Sequence, residues 1–138
     1  MSKRDTLLLL DDMLQSAYKI QRYTSGQNFN AFINDDKTID AVVRNFEIIG
    51  EAANRIDPEF QTLNPEIEWR RLRGFRNRIV HEYFGVDYQI VWEIIETNLS
   101  EMIEMLEAII ENNRTLSINE KTTNPAFVDD YPELRGSD

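Results

Sequence analysis

Apolar positions recur at helical spacing through most of the chain. Between residues 4 and 23 they fall at Leu7, Leu10, Leu14, Ala17 and Ile20 or Tyr23, one face of a helix. Ser25-Gly26 ends that helix, and residues 26–35 form a connection holding Phe29, Phe32 and Ile33, with room for one short helical turn. A second stripe runs through Ile39, Val42 or Val43, Phe46, Ile49 or Gly50, Ala53 and Ile56, starting near Asp36 or Thr38. Asp57-Pro58 stops it, because proline disfavours helical geometry in the residue before it. A loop bounded by Pro58 and Pro65 follows. A third helix is predicted from about Pro65 to about Tyr83, with Gly85 as its breaker. Asp87 is placed to cap a fourth, long helix ending near Asn112-Asn113. Its stripe is Ile90 or Val91, Ile94 or Ile95, Asn98, Met102, Met105 or Leu106 and Ile109.

This pattern predicts an all-α protein, an antiparallel bundle of four to five helices over residues 1–113. Residues 114–138 lose the period and carry Pro125, Pro132, Phe127 and Tyr131. They read as an extended C-terminal arm, either a loose tail or a strap laid on a partner by Phe127 and Tyr131.

Composition narrows the class. With 138 residues, 41% of them hydrophobic, the chain suits one domain with a core. The five Gly and four Pro lie mainly between the periodic segments, which favours helices over many short strands. There is no Cys, so disulfides, thiolate metal sites and a Cys nucleophile are excluded. The Leu7–Leu10 run is too short for a signal peptide, and no stretch reaches the ~20 apolar residues of a membrane span. A cytoplasmic protein with no membrane contact is expected.

The net charge of −10 argues against coating nucleic acid by bulk attraction. The charge is unevenly spread, however. Arg70, Arg71, Arg73, Arg76 and Arg78 fall together with no acid among them, and residues 82–111 carry acids and no base. One small basic site on an acidic body is the pattern expected of an anion-binding site. Arg73 and Arg78 are weak candidates for guiding RNA. They, with Arg70 and Arg71, are equally suited to pairing with acids of the fourth helix or of a partner.

The chemistry concentrates in RNRIVHEYF, residues 76–84, which holds the only His of the chain. On an ideal helix Trp69, Leu72, Phe75, Ile79 and Tyr83 share the core stripe, Arg76 lies at its edge, and Asn77 and His81 stack outward. An imidazole can move a proton near neutral pH, and a guanidinium can hold a phosphate with two donors. Those are the requirements of metal-free RNA cleavage: a base for the ribose 2′-OH, a cation for the phosphorane and an acid for the leaving 5′-oxygen. One His supplies one proton-transfer group, and the same His of a second subunit could supply another.

These residues resemble the HEPN superfamily signature, Arg, a polar residue, three more positions, then His, and its longer HepT form Arg-x4-His-x-Tyr: here Arg76, Asn77, His81 and Tyr83. The runs RNFEIIGEAANRI (44–56), PEIEWRRLRGFRNRIVHEYFGVD (65–87) and IVWEII (90–95) are similar to HepT-type chains as well. The resemblance covers roughly residues 5–110 and leaves out the tail.

The resemblance implies a HEPN bundle that forms a homodimer, with one composite site built by two signature helices. It implies a metal-independent endoribonuclease toxin that needs no cofactor and leaves a cyclic phosphate. The implied antitoxin is an MNT-type nucleotidyltransferase able to attach AMP to Tyr83. By this correspondence Arg76 binds the scissile phosphate, Asn77 orients it or the His, and His81 is the general acid or base. Added AMP would put charge and bulk where a phosphate must bind.

An ideal helix leaves Arg76 and His81 about 140° apart. Either Arg76 reaches round, or the helix loosens before Gly85, or the two come from different subunits. Trp69, Trp92, Met102 and Met105 fit core stripes better than base stacking. Glu47 and Glu51 form an i,i+4 acidic pair, read as surface rather than a metal site. There is no phosphate-cradling Gly-rich loop and no HExxH. Two rival functions remain: a non-catalytic subunit that presents a nucleotide or substrate to a nucleotidyltransferase, and a purely structural helical dimer. Neither needs an outward His beside an Arg.

Overall fold

The computed structural model describes residues 1–81 and 85–123, with side chains up to Arg114. Its helices are α1 (Lys3–Thr24), α2 (Phe29–Ile33), α3 (Asp36–Arg55), α4 (Pro58–Leu63), α5 (Trp69–Arg73), α6 (Phe75–Ile79), α7 (Tyr88–Thr97) and α8 (Leu99–Thr123). Two short strands, β1 (Val80–His81) and β2 (Gly85–Val86), interrupt the helical run between α6 and α7. The fold is an all-α bundle.

Polar caps start these helices. The side chains of Ser2, Asn28, Asp35, Asp57 and Asp87 each accept a backbone N–H of the first turn that has no partner inside the helix. The expected stripes then turn inward. Leu10, Leu14, Ala17 and Ile20 of α1 meet Ile39, Val42, Phe46, Ile49 and Ala53 of α3, and α8 closes the other side of α1. Trp69, Leu72, Phe75 and Ile79 are all buried, as are Trp92 and Met102, while Met105 packs against the core from its edge. Phe46 meets Phe75 edge-on at 5.0 Å, Phe32 lies 5.2 Å from Trp92, and Trp69 Nε1 donates to the Asn64 carbonyl at 2.9 Å.

Four elements differ from the sequence expectation. The loop between Pro58 and Pro65 contains the short helix α4, with Pro58 in its first turn. The third helix is two short ones. Gly74 separates α5 from α6, yet Gly74 N bonds the Arg70 carbonyl and Arg78 N bonds the Gly74 carbonyl, both at 3.1 Å. The helical phase therefore carries across the break, and the core stripe survives it. That helix also stops at Ile79 rather than near Tyr83, because Val80 adopts an extended backbone at φ −118°, ψ 116°. The fourth helix is divided at Asn98, where the Thr97 hydroxyl bonds both the Glu93 carbonyl and the Asn98 side chain. Beyond Asn113, α8 runs on to Thr123 where an extended arm is expected. Prolonging an anchored helix needs no new nucleus. Phe127 and Tyr131, the expected strap, lie outside the described residues.

Candidate functional site

The site is built where the helical run changes into a hairpin. β1 and β2 pair antiparallel, with Val80 opposite Val86 and His81 opposite Gly85. Side chains alternate along a strand. Val80 and Val86 pack on the core. His81 is turned to the other side, and its side chain is 44% exposed. Gly85 sits at φ +72°, a left-handed conformation that favours glycine.

Asp87 links the parts. Its backbone N–H donates to the Ile79 carbonyl at 2.7 Å, tying the start of α7 to the end of α6. Its Oδ1 accepts the Ile90 N–H at 3.1 Å as the cap of α7, and its Oδ2 lies 3.2 Å from His81 Nε2. The Ile90 N–H holds the Asp87 carboxyl below its usual range, against the opposing effect of burial and with further help from His81 and the Gln89 N–H. The sequence marks Asp87 as a helix cap only. Gly85 followed by Val86, with Val80 five residues before it, was the available sign that a hairpin brings Asp87 back beside His81.

Arg76 and Asn77 are exposed on α6. Among the described residues Arg76 forms no ion pair. Arg73 is held by the side-chain oxygen of Gln61. Gln61 in turn donates to the Ala53 and Ile56 carbonyls at 2.9 and 3.0 Å, closing the end of α3. Arg71 pairs with Glu68 of its own turn at 3.0 Å rather than with the fourth helix. Arg78 is half-buried, and among the described residues its buried Nη1 has no hydrogen-bond partner. Glu47 and Glu51 both face Arg44 at 3.6 Å, a surface ion-pair cluster. Among the described residues no three His, Cys, Asp or Glu side chains gather as metal ligands, and no helix is long and apolar enough to cross a membrane. Tyr83 lies outside the described residues.

An ionised carboxylate on a ring nitrogen of an exposed imidazole is an arrangement able to move a proton, and the exposed Arg76 precedes that imidazole by five residues in the chain. The scaffold that carries it is an all-helical bundle. A profile of the family described as "Ribonuclease HepT-like" matches residues 13–109. The chain belongs to this HepT-like family. It is similar to a Methanocaldococcus jannaschii protein that carries an RNase name, 37% identical over 109 residues, 79% of this chain and 100% of that one. A Caldanaerobacter subterraneus protein, also carrying an RNase name, is 32% identical over 105 residues, 76% of this chain and 94% of its own. A Thermococcus cleftensis protein named "Probable ribonuclease HepT" is 37% identical over 97 residues, 70% of this chain and 88% of its own. No solved structure matches the chain.

Proposed function

We propose that the chain is an endoribonuclease toxin that cleaves RNA without a metal, through His81 and Arg76. The observation that carries this reading is the single His of the chain, turned to solvent and bound to a carboxylate, just past an arginine with no ion-pair partner among the described residues. Family membership and the RNase names of the relatives support it.

The roles follow from chemistry. Arg76 holds the scissile phosphate with two donors and offsets the charge gained in the phosphorane. Asn77 orients the phosphate. His81 takes the 2′-OH proton, the 2′-oxygen bonds to phosphorus, and the bond from phosphorus to the 5′-oxygen breaks. The leaving oxygen takes a proton from a second acid, supplied by His81 of the partner subunit in a homodimer. The products are a 2′,3′-cyclic phosphate and a 5′-hydroxyl. An MNT-type nucleotidyltransferase antitoxin would silence the site by joining AMP to Tyr83, placing negative charge where the substrate phosphate must sit. Net charge −10 on the body leaves the arginine-rich segment as the place RNA approaches.

The test is incubation of purified protein with RNA in EDTA, alongside His81→Ala, followed by end-group analysis. Wild type is expected to leave cyclic phosphates, and His81→Ala to leave RNA intact. Intact RNA with folded wild type would reject the reading. It would favour the non-catalytic subunit instead, which binds nucleotide only with its nucleotidyltransferase.

A further inference from the structure

The hairpin register does more than expose His81. In an antiparallel pair, a residue's diagonal neighbour lies two positions along from its direct partner and is within reach of a long side chain. The direct partner of His81 is Gly85, so the diagonal neighbour is Asp87. Gly85 has no side chain and leaves the imidazole free to lean across, and Nε2 meets Asp87 Oδ2 at 3.2 Å. Among the described residues Nδ1 has no hydrogen bond. Asp87 itself is immobilised. Its N–H is bound to Ile79, its Oδ1 to the Ile90 N–H, and its carbonyl accepts the Val91 N–H at 3.1 Å.

From this geometry we infer that Asp87 is the positioning residue of His81: it takes the Nε2–H and so presents Nδ1 as the nitrogen that exchanges a proton with RNA. This rests on the ribonuclease reading above. An imidazole has two neutral tautomers, and the hydrogen bond made by one nitrogen decides which form the other presents. An ionised carboxylate accepts only, so it selects the Nε2–H form. When Nδ1 takes the 2′-OH proton, the ring becomes a cation, and the same carboxylate stabilises it. The carboxyl is held below its usual range chiefly by the Ile90 N–H, so the acceptor is already ionised at neutral pH.

The arrangement separates capping from positioning. Asp87→Asn keeps an oxygen for the Ile90 N–H, since Asn caps as well as Asp. It turns an amide N–H₂ toward Nε2, a donor where an acceptor stood, and so favours the Nδ1–H form. Asp87→Ser also caps but is too short to reach the ring.

The experiment uses the untagged full chain labelled with 15N, at an alkaline pH where imidazole is neutral. His81 is the only His, so its two ring nitrogens are identified without assignment. Wild type is expected to show a protonated Nε2 and a bare Nδ1. Asp87→Asn is expected to shift toward the reverse, and Asp87→Ser to a mixture. Turnover of RNA should fall by up to about 10⁴-fold in both variants, with KM and melting temperature little changed, the scale for losing the carboxylate that holds a catalytic imidazole in its tautomer. Identical ring-nitrogen shifts in wild type and Asp87→Asn would overturn the inference, and so would undiminished kcat. Ring shifts that respond to Asp87→Asn in a wild type that cuts no RNA would instead overturn the ribonuclease reading, and this inference with it.

Discussion

A side-chain carbon added at Gly50 would sit 3.1 Å from the backbone carbonyl oxygen of Leu72. Helix α5 therefore rests directly on the backbone of α3, and α6 follows in the same helical phase. The contact sets how far the arginine-rich segment stands from the bundle. Gly50→Ala would gain about 0.5–1 kcal/mol of helical preference. It must also push back a carbonyl held in α5, and overpacking of this kind costs about 1–3 kcal/mol. The expected net is a loss of about 1 kcal/mol, read as a lower urea midpoint at an unchanged slope. Equal or greater stability would show that α5 slides away freely.

Arg76 touches no acid among the described residues and is exposed, so its removal should leave the fold alone. Arg76→Ala is expected to change stability by no more than about 0.5 kcal/mol. Its RNA turnover should fall by about 10²–10³, the scale for losing one donor to a developing oxyanion. Arg76→Lys should recover only part of this, because an ammonium cannot grip a phosphate at two points in one plane. Wild-type turnover in Arg76→Ala would remove the guanidinium from the mechanism.

Acid should weaken the start of α3 through a single residue. The Asp35 carboxyl is held below its usual range, first by the Thr38 hydroxyl at 2.7 Å and then by the Thr38 backbone N–H at 3.1 Å. A depressed folded value means stability that is present above the unfolded value of about 3.9 and lost as pH falls through the folded one. Asp35→Asn keeps the cap but does not titrate. Between about pH 5 and about pH 3 the melting temperature of wild type should fall more steeply than that of Asp35→Asn. Parallel curves would show that Asp35 contributes nothing to acid unfolding. Asp87, shifted the same way, adds to the slope left in the variant.

The core was legible because burial repeats with the helix period. Phe46, Ile49, Ala53, Leu72, Phe75 and Ile79 all lie where their stripes place them. The cap at Asp87 was legible for a local reason, since a cap bonds within its own first turn. The site was legible as a set of residue types and not as a geometry. Before Gly85 the helix does loosen: α6 ends at Ile79 and His81 stands on a strand. Angles counted at 100° per residue do not apply past that point. Continuous periodicity concealed the change, because Val80 and Val86 are apolar in helix and hairpin alike and both pack on the core.

By itself, then, the sequence determined the main helices, the faces they bury, the cap of α7, and the residue types able to move a proton or hold a phosphate. Each of these depends on neighbours within about one helical turn. Only the tertiary structure decided that α6 gives way to a hairpin, that Gln61 holds Arg73, and that Asp87 meets His81. The Asp87–His81 contact depends on strand register, and register follows from where Val80 and Val86 can reach the core. No local pattern contains that distance.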